Sequence, residues 1–298
     1  MEVGDRKCAS RYGKPPWIFK GSALYQLHLV KAETARAFIP KEFRLVEAFG
    51  YTLGGFFLAS YEDSPAGVFD ELVVIAGIVW NPPTSCAWAA KVLVNSNEAC
   101  DHGRKYVGLP SQVARFTKRI TAVQGQPKAK SNGFLNMIGL GSILCPPKDF
   151  VGVQVSEMED PAATDICNIT LTTAVTSLAM TVPASDKRIG PAIKMSLPSF
   201  SGYTEYIPHL LKYSCHMECR VRAVKPAKVS WPLYAPKENN EQSLDQHSCQ
   251  TVKSTTEELR DNGRNLSISV MLSKPIFALE FNCMKMRVEA PIVVSSCF

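Results

Sequence analysis

The sequence contains no continuous apolar run long enough to cross a bilayer. A membrane-spanning helix needs about 20 apolar residues, whereas the longest apolar stretches, at 71–80 and 133–145, are shorter. The N-terminus has acidic residues and no apolar core of a signal peptide, and it is not the Ser- and Arg-rich, acid-poor segment typical of transit peptides. We therefore expect a protein without a transmembrane segment, either soluble or peripheral to a membrane.

Clustered charge and clustered metal ligands are also scarce. The 33 Lys and Arg residues are interspersed with 27 Asp and Glu residues, for a net charge of +6, so nucleic-acid binding is not expected. Cys215 and Cys219 flank His216 and Glu218, but positions four apart on a strand lie some ~13 Å apart, too far to share one zinc ion. Gly139-Leu140-Gly141 lacks the third glycine of a dinucleotide fingerprint. We expect no metal and no cofactor.

The chain is instead rich in β-prone segments separated by Gly and Pro. Alternation from Ala23 to Val30 predicts a half-buried strand with Gln26 and His28 on its polar side, and a short helix is predicted from Lys31 to Phe38. The other predicted strands are 43–59, 71–80, 88–94, 111–122, 167–182, 212–224 and 266–288. This pattern favours a mostly β (α+β) fold, an antiparallel barrel or sandwich with a few short helices. We expect one domain over residues 1–298, with a polar loop or insertion at about 226–264.

Glu71 is the most informative polar residue, because it opens a strongly apolar run that ends at Trp80. Burial at this position would raise its pKa and make it usable as an acid or base near neutral pH. The alternative is a solvated residue at a strand entrance, and the local context alone favours that alternative. None of the five histidines is paired with an acid or nucleophile in the sequence, so each is more typical of a surface or satisfied core residue.

Several segments in order resemble the acetoacetate decarboxylase superfamily. They are Pro15-Pro16-Trp17, Ala37-Phe38-Ile39-Pro40, Gly67-Val68-Phe69-Asp70-Glu71, Gly103 to Pro110, and Lys194 to Pro198 followed by Gly202. Each motif is short, but their order and spacing together make the resemblance specific. It implies a β-barrel-like core that encloses a ligand cavity.

The resemblance also implies what chemistry is missing. In active decarboxylases of this superfamily two lysines follow the Gly-x-Pro segment, and the first forms an imine with the substrate. The matching residues here are Ser111 and Gln112, neither of which forms a Schiff base, and the place of the family's helper arginine falls around Gly21. Glu71 matches an active-site glutamate and is our leading catalytic candidate. By the same matching, the cavity is expected to be lined by Ser111, Gln112, Arg115 and His28.

Longer segments resemble a plant branch of this superfamily that is concerned with carotenoids. They are 16–30, 49–61 and 81–88. This resemblance implies a role in forming neoxanthin from violaxanthin, upstream of abscisic acid, with a carotenoid as ligand and no cofactor. It also leaves open a protein partner, a homo-oligomer, and a location in the cytoplasm or peripheral to the chloroplast envelope.

Three molecular activities are compatible with these observations. The first is a factor that binds a carotenoid, or assists its conversion, without catalysing the reaction. The second is a cofactor-independent isomerase that opens the violaxanthin epoxide to the allene of neoxanthin, with Glu71 as base. The third, chemistry on a small polar keto acid, fits the plant resemblance poorly. A long apolar cavity would favour a carotenoid, and a short, charged one a small acid.

Overall fold

The computed structural model describes residues 12–123, 148–159, 162–172, 190–231 and 265–294. The strands are β1 (Trp17–Lys31), β2 (Glu47–Ala48), β3 (Tyr51–Asp63), β4 (Phe69–Asn81), β5 (Thr84–Val94), β6 (Ser111–Val123), β7 (Lys148–Glu159), β8 (Ala162–Thr172), β9 (Ala192–Gly202), β10 (Leu210–Val224), β11 (Lys228–Ser230), β12 (Lys274–Val288) and β13 (Ile292–Val293). The helices are α1 (Ala32–Arg36), α2 (Asn97–His102), which continues into a π-helical turn at Gly103–Val107, and α3 at residues 265–271.

Seven of these strands close into a barrel. Their order is β5, β4, β3, β1, β12, β10 and β9, and β9 returns to β5. All neighbours in the ring are antiparallel except β5 and β9, which pair in parallel. β6 pairs in parallel with the end of β5 and begins a second sheet with β7, β8 and β11. The expected mostly β, barrel-like fold with a few short helices is therefore confirmed.

The barrel wall has apolar residues on both faces. Those on the inner face form one cluster of buried side chains, and those on the outer face form another. On β1, Ala23 and Tyr25 belong to the inner cluster with Phe57 and Phe281. The outer cluster lies between the barrel and the elements packed around it, and it contains Leu24 together with residues of α1, α3, β7 and β8. This double burial is why the central strands tolerate few polar side chains on either face.

The prediction that Gln26 and His28 form a polar, half-buried face is wrong, because both side chains are buried, with 0% and 1% of their surface exposed. Gln26 exchanges two hydrogen bonds with the backbone of Ala227: its Nε2 donates to the carbonyl at 3.2 Å, and its Oε1 accepts from the amide at 2.7 Å. His28 Nδ1 lies 3.3 Å from the carbonyl of Val270 in α3. Distant segments therefore cover this face and supply its hydrogen-bond partners.

The strand predicted over 266–288 is also wrong in its first part, because residues 265–271 are helical and β12 starts at Lys274. The Ser269 hydroxyl donates to the carbonyl of Asn265, four residues earlier, as side chains in helices do. The strands β7 and β9 lie outside the predicted strands. The part of the predicted strand at 173–182 lies outside the described residues.

The polar segment predicted at about 226–264 is in part a strand. Lys228–Ser230 forms β11 and pairs with β8 through Val229 and Ile169. Residues 232–264 lie outside the described residues. Among the described helices, none is long and apolar enough to cross a membrane.

Candidate ligand-binding site

The barrel encloses a cavity of about 230 Å³ with a largely apolar wall. The side chains that line it along β4 are Phe69, Glu71, Val73, Ile75 and Ile78. At about 3.3 Å per residue, this series covers up to about 30 Å along the strand. The lining of the cavity therefore extends along most of β4.

The two ends of the cavity differ in exposure. At one end Phe19, Tyr61 and Phe69 are buried. Towards the other end Tyr25, Ile78 and Ser85 are half-buried although they line the same cavity. Half-buried lining residues also occur at the Phe69 end, where Glu71 and Val73 lie, but beyond Ile78 the same face of β4 reaches the exposed Trp80. We therefore call the end beside Ile78 the mouth and the end beside Phe69 the closed end.

Glu71 lies near the closed end and is held by a tyrosine. In the β3–β4 hairpin Tyr61 pairs with Phe69 and Ala59 pairs with Glu71, so Tyr61 and Glu71 are diagonal neighbours on the inner face. The Tyr61 hydroxyl donates a hydrogen bond of 2.7 Å to Glu71 Oε2. Part of the Glu71 surface borders the cavity, but the carboxyl group is removed from bulk water.

The position of Glu71 sets its acid–base behaviour. Burial raises its pKa from 4.5 to about 6, and the hydrogen bond from Tyr61 works in the opposite direction. A carboxyl with such a pKa exchanges its proton readily near neutral pH. Among the described residues that line the cavity, none is a lysine or an arginine, so Glu71 has no cationic partner there.

Further polar groups of the wall are neutral. Burial raises the pKa of Cys215 to about 12, and burial also raises the pKa of Tyr213 far above its ordinary value; the negative charge of Glu71 adds to both effects. Both side chains belong to β10 and line the cavity. They supply a phenol and a thiol, so the wall contains potential hydrogen-bond donors but a single carboxylate.

His102 is a cavity residue that the sequence did not reveal. It ends α2 and is 6% exposed. Its ring stacks on Tyr12 with ring centroids 3.6 Å apart, and Trp17 meets it edge-on at 4.4 Å. Its Nε2 is buried and has no hydrogen-bond partner among the residues that the structure describes. Burial lowers its pKa to about 4, so the imidazole is neutral at pH values above that. It adds a neutral nitrogen heterocycle to the closed end.

The structure brings two of the five candidate residues to the cavity. Glu71 and Ser111 line it. The other three are placed elsewhere: His28 lies against Phe56 of the outer cluster, Arg115 is exposed, and Gln112 has its Oε1 buried with no hydrogen-bond partner among the described residues. Alternation accounts for His28 and Gln112, because successive residues of β1 and β6 point to opposite faces. Arg115 lies beyond the part of β6 that pairs with the barrel strand β5.

Close backbone approaches affect two positions that the family resemblance singled out. A Cβ atom at Gly21 would lie 2.0 Å from the carbonyl oxygen of Ser60, so no side chain fits there. A Cβ atom at Gly103 would lie 2.6 Å from the hydroxyl oxygen of Ser111. Ser111 is thus packed closely against the turn that follows α2, and this packing leaves little room for a longer side chain.

Comparison with solved structures places the fold. The acetoacetate decarboxylase of Legionella pneumophila matches with a TM-score of 0.51 and 10% identity, over 99% of this chain and 93% of that chain. The enduracididine biosynthesis enzyme MppR matches with a TM-score of 0.51 and 13% identity over 97% of this chain and 91% of that one. The chain has an acetoacetate decarboxylase-like barrel fold.

Sequence comparison defines the particular group within that class. Proteins named Neoxanthin-deficient 1 are 62% identical in Arabidopsis thaliana and 63% identical in Solanum lycopersicum, over 99% and 100% of this chain and 99% and 98% of theirs. The protein of that name in Oryza sativa subsp. japonica is 53% identical over 97% of this chain and 93% of its own length. The chain belongs to the Neoxanthin-deficient 1 family. No protein-family model matches it.

Proposed function

We propose that this protein supports the formation of neoxanthin by binding a carotenoid, such as violaxanthin, end-first in the barrel cavity. The observation that carries the proposal is the lining of the cavity, which is largely apolar and extends along β4 from Ile78 to Phe69. An elongated apolar polyene suits such a lining better than a compact polar ligand does. The name shared by the relatives, Neoxanthin-deficient 1, supports the same pathway.

The charges of the wall argue against a small keto acid. A carboxylate substrate would need a cation or a set of donors to offset the cost of its burial, and the described lining contains no lysine or arginine. The ionised form of Glu71 would also repel such a substrate. Imine chemistry would need a lysine where Ser111 stands. The cavity therefore suits a ligand that is uncharged.

A second candidate function is the isomerisation itself, and the raised pKa of Glu71 favours it. In this reaction the carboxylate takes the proton from C7 of violaxanthin, a C6=C7 double bond forms, and the bond between C6 and the epoxide oxygen breaks. The oxygen, which stays on C5, takes a proton. Substrate and product are isomers, so no electrons enter or leave. Tyr61 and the neutral His102 are among the polar groups at the same end of the cavity.

One experiment separates these functions. Purified protein is incubated with violaxanthin in lipid–detergent micelles, and both pigment co-elution and neoxanthin formation are followed by chromatography. Binding alone predicts co-elution without conversion, whereas an isomerase predicts neoxanthin that is lost in Glu71→Gln. The exposed Glu218→Gln is the matched control for that substitution. If the wild type neither retains the pigment nor converts it, the proposed function is wrong.

A cavity-filling pair of variants tests whether the pigment enters the barrel. Ala87→Phe adds a ring to a half-buried residue of the lining near the mouth, and it should abolish co-elution. Ala48→Phe adds the same ring to the exposed β2 strand and should leave co-elution unchanged. Equal pigment retention by both variants would show that the pigment binds outside the cavity.

A further inference from the structure

The inner face of the barrel wall continues beyond the cavity as an exposed apolar surface. The backbone amide of Val46 donates to the carbonyl of Ile78, the lining residue at the mouth, at 2.8 Å. The β2–β3 register places Val46 next to Leu53, and Leu53 pairs with Leu29 of β1. Val46 and Leu53 are 40% and 43% exposed. The apolar wall of the cavity is therefore continuous with apolar side chains at the surface.

Aromatic residues extend this surface outwards. Trp80 follows Ile78 on the same face of β4, Tyr51 precedes Leu53 on the same face of β3, and Phe277 pairs with Leu27 of β1. Each of the three aromatic side chains is 40–42% exposed. We define the outer apolar face by six residues, namely Val46, Phe49, Tyr51, Leu53, Trp80 and Phe277.

Phe49 is the most unusual member of the outer apolar face. It and Gly50 form the two-residue turn between β2 and β3, with φ of 52° and 78°. Such a turn favours Asn-Gly, because a bulky residue with a positive φ is strained. The Phe49 side chain is fully exposed, at 101%, so no packing offsets that strain. A strained, unpacked aromatic residue at a turn points to a binding role.

The chain topology places the outer apolar face at one end of the barrel. Its members lie where β1 ends at Lys31, where β3 begins at Tyr51, where β4 ends at Asn81 and where β12 begins at Lys274. This is the end at which the cavity opens. The turn between β3 and β4, which contains the exposed Val68, lies at the opposite end of the same strands.

We propose that the outer apolar face docks on a lipid bilayer, with Phe49 and Trp80 inserted at the interface. Tyrosine and tryptophan are enriched at membrane–water interfaces, where one side of the ring is apolar and the other is wet. The surrounding exposed charges are mixed: Lys31, Lys41, Arg44 and Lys274 lie among Glu33, Glu42 and Glu47. Attachment therefore depends on apolar insertion rather than on anionic lipid.

Docking in this orientation turns the mouth of the cavity towards the acyl chains. A ligand dissolved in the bilayer would then enter beside Ile78 without crossing water. The inference concerns the surface alone and does not require the ligand to be a carotenoid.

Flotation with phosphatidylcholine vesicles tests the inference. The wild type should float with the vesicles, and high salt should leave its binding unchanged within about twofold, since the contact is apolar. Phe49→Asn should weaken binding about tenfold, the order expected for removing one buried aromatic ring. Because Asn suits the positive φ of this turn, the variant should also fold. Trp80→Ser should weaken binding to a similar extent.

The matched control is Val68→Ser, which removes an exposed apolar side chain from the opposite end of the barrel and should leave flotation unchanged. Wild-type protein that stays unbound, or Phe49→Asn that floats as well as the wild type, would overturn the inference. A dimer that dissociates in Phe49→Asn, without vesicle binding by the wild type, would assign the face to a second copy. Pigment retention in detergent micelles does not depend on docking, so the two proposals fail separately.

Discussion

Replacement of Glu71 by Gln should stabilise the protein at alkaline pH and have little effect at acid pH. Burial raises the pKa of this carboxyl from 4.5 in the unfolded chain to about 6 in the folded one, so the folded state favours the neutral form. The corresponding stability is fully present below the unfolded pKa and is lost as the pH rises through the folded pKa. At 1.36 kcal/mol per pKa unit, the ionised carboxylate costs about 2 kcal/mol above neutral pH. Gln cannot ionise and escapes this cost.

Urea unfolding of the wild type and of Glu71→Gln measures the difference directly. We expect the variant to be more stable by about 2 kcal/mol at pH values near 8 and to approach the wild type near pH 4. The exposed Glu47→Gln reports the background effect of removing a carboxylate. The reasoning would be refuted by a Glu71→Gln difference that stays constant across this range, or by a variant that is less stable than the wild type at alkaline pH.

Three other substitutions have expected outcomes. Tyr61→Phe removes the hydrogen bond that lowers the pKa of the cavity carboxylate, so the pH-dependent loss of stability should move to higher pH in the same unfolding assay. Gly103→Ala should lower the free energy of unfolding by about 1–3 kcal/mol, because its Cβ would lie 2.6 Å from the Ser111 hydroxyl. A second substitution, Ser111→Ala, in the same chain should restore most of this loss. Lys91→Met should lower the free energy of unfolding by about 3–5 kcal/mol, because it removes the ion pair of 3.0 Å to the buried Glu157. The double variant Lys91→Met with Glu157→Met should recover most of the lost stability.

The sequence predicts the barrel better than it predicts which face of a strand is buried. The start of β6 at Ser111 and the helix after β1 follow from local patterns. The environment of Gln26 and His28 does not, because the groups that cover them come from Ala227 and α3, far along the chain. The α3 helix itself was missed because Leu266, Ile268 and Val270 alternate with polar residues, a pattern that is also typical of a strand.

The candidate site, too, can be predicted from the sequence only in part. Glu71 can be found because a carboxylate opens an apolar strand. Its diagonal neighbour Tyr61 lies beyond the strand predicted at 43–59, and only the β3–β4 register places it there. His102 cannot be found by such reasoning. Its partners Tyr12 and Trp17 reach it only when the barrel closes, and the sequence gives no sign of their stacking.

The parallel pairing of β5 with β9 makes the barrel wall unequal around its circumference. Two residue pairs, Ala87–Ser199 and Trp88–Phe200, join these strands, whereas β1 and β3 share twelve. A short ladder opens at a lower free energy than a long one, so the wall should part first along this line, and amide hydrogens there should exchange soonest.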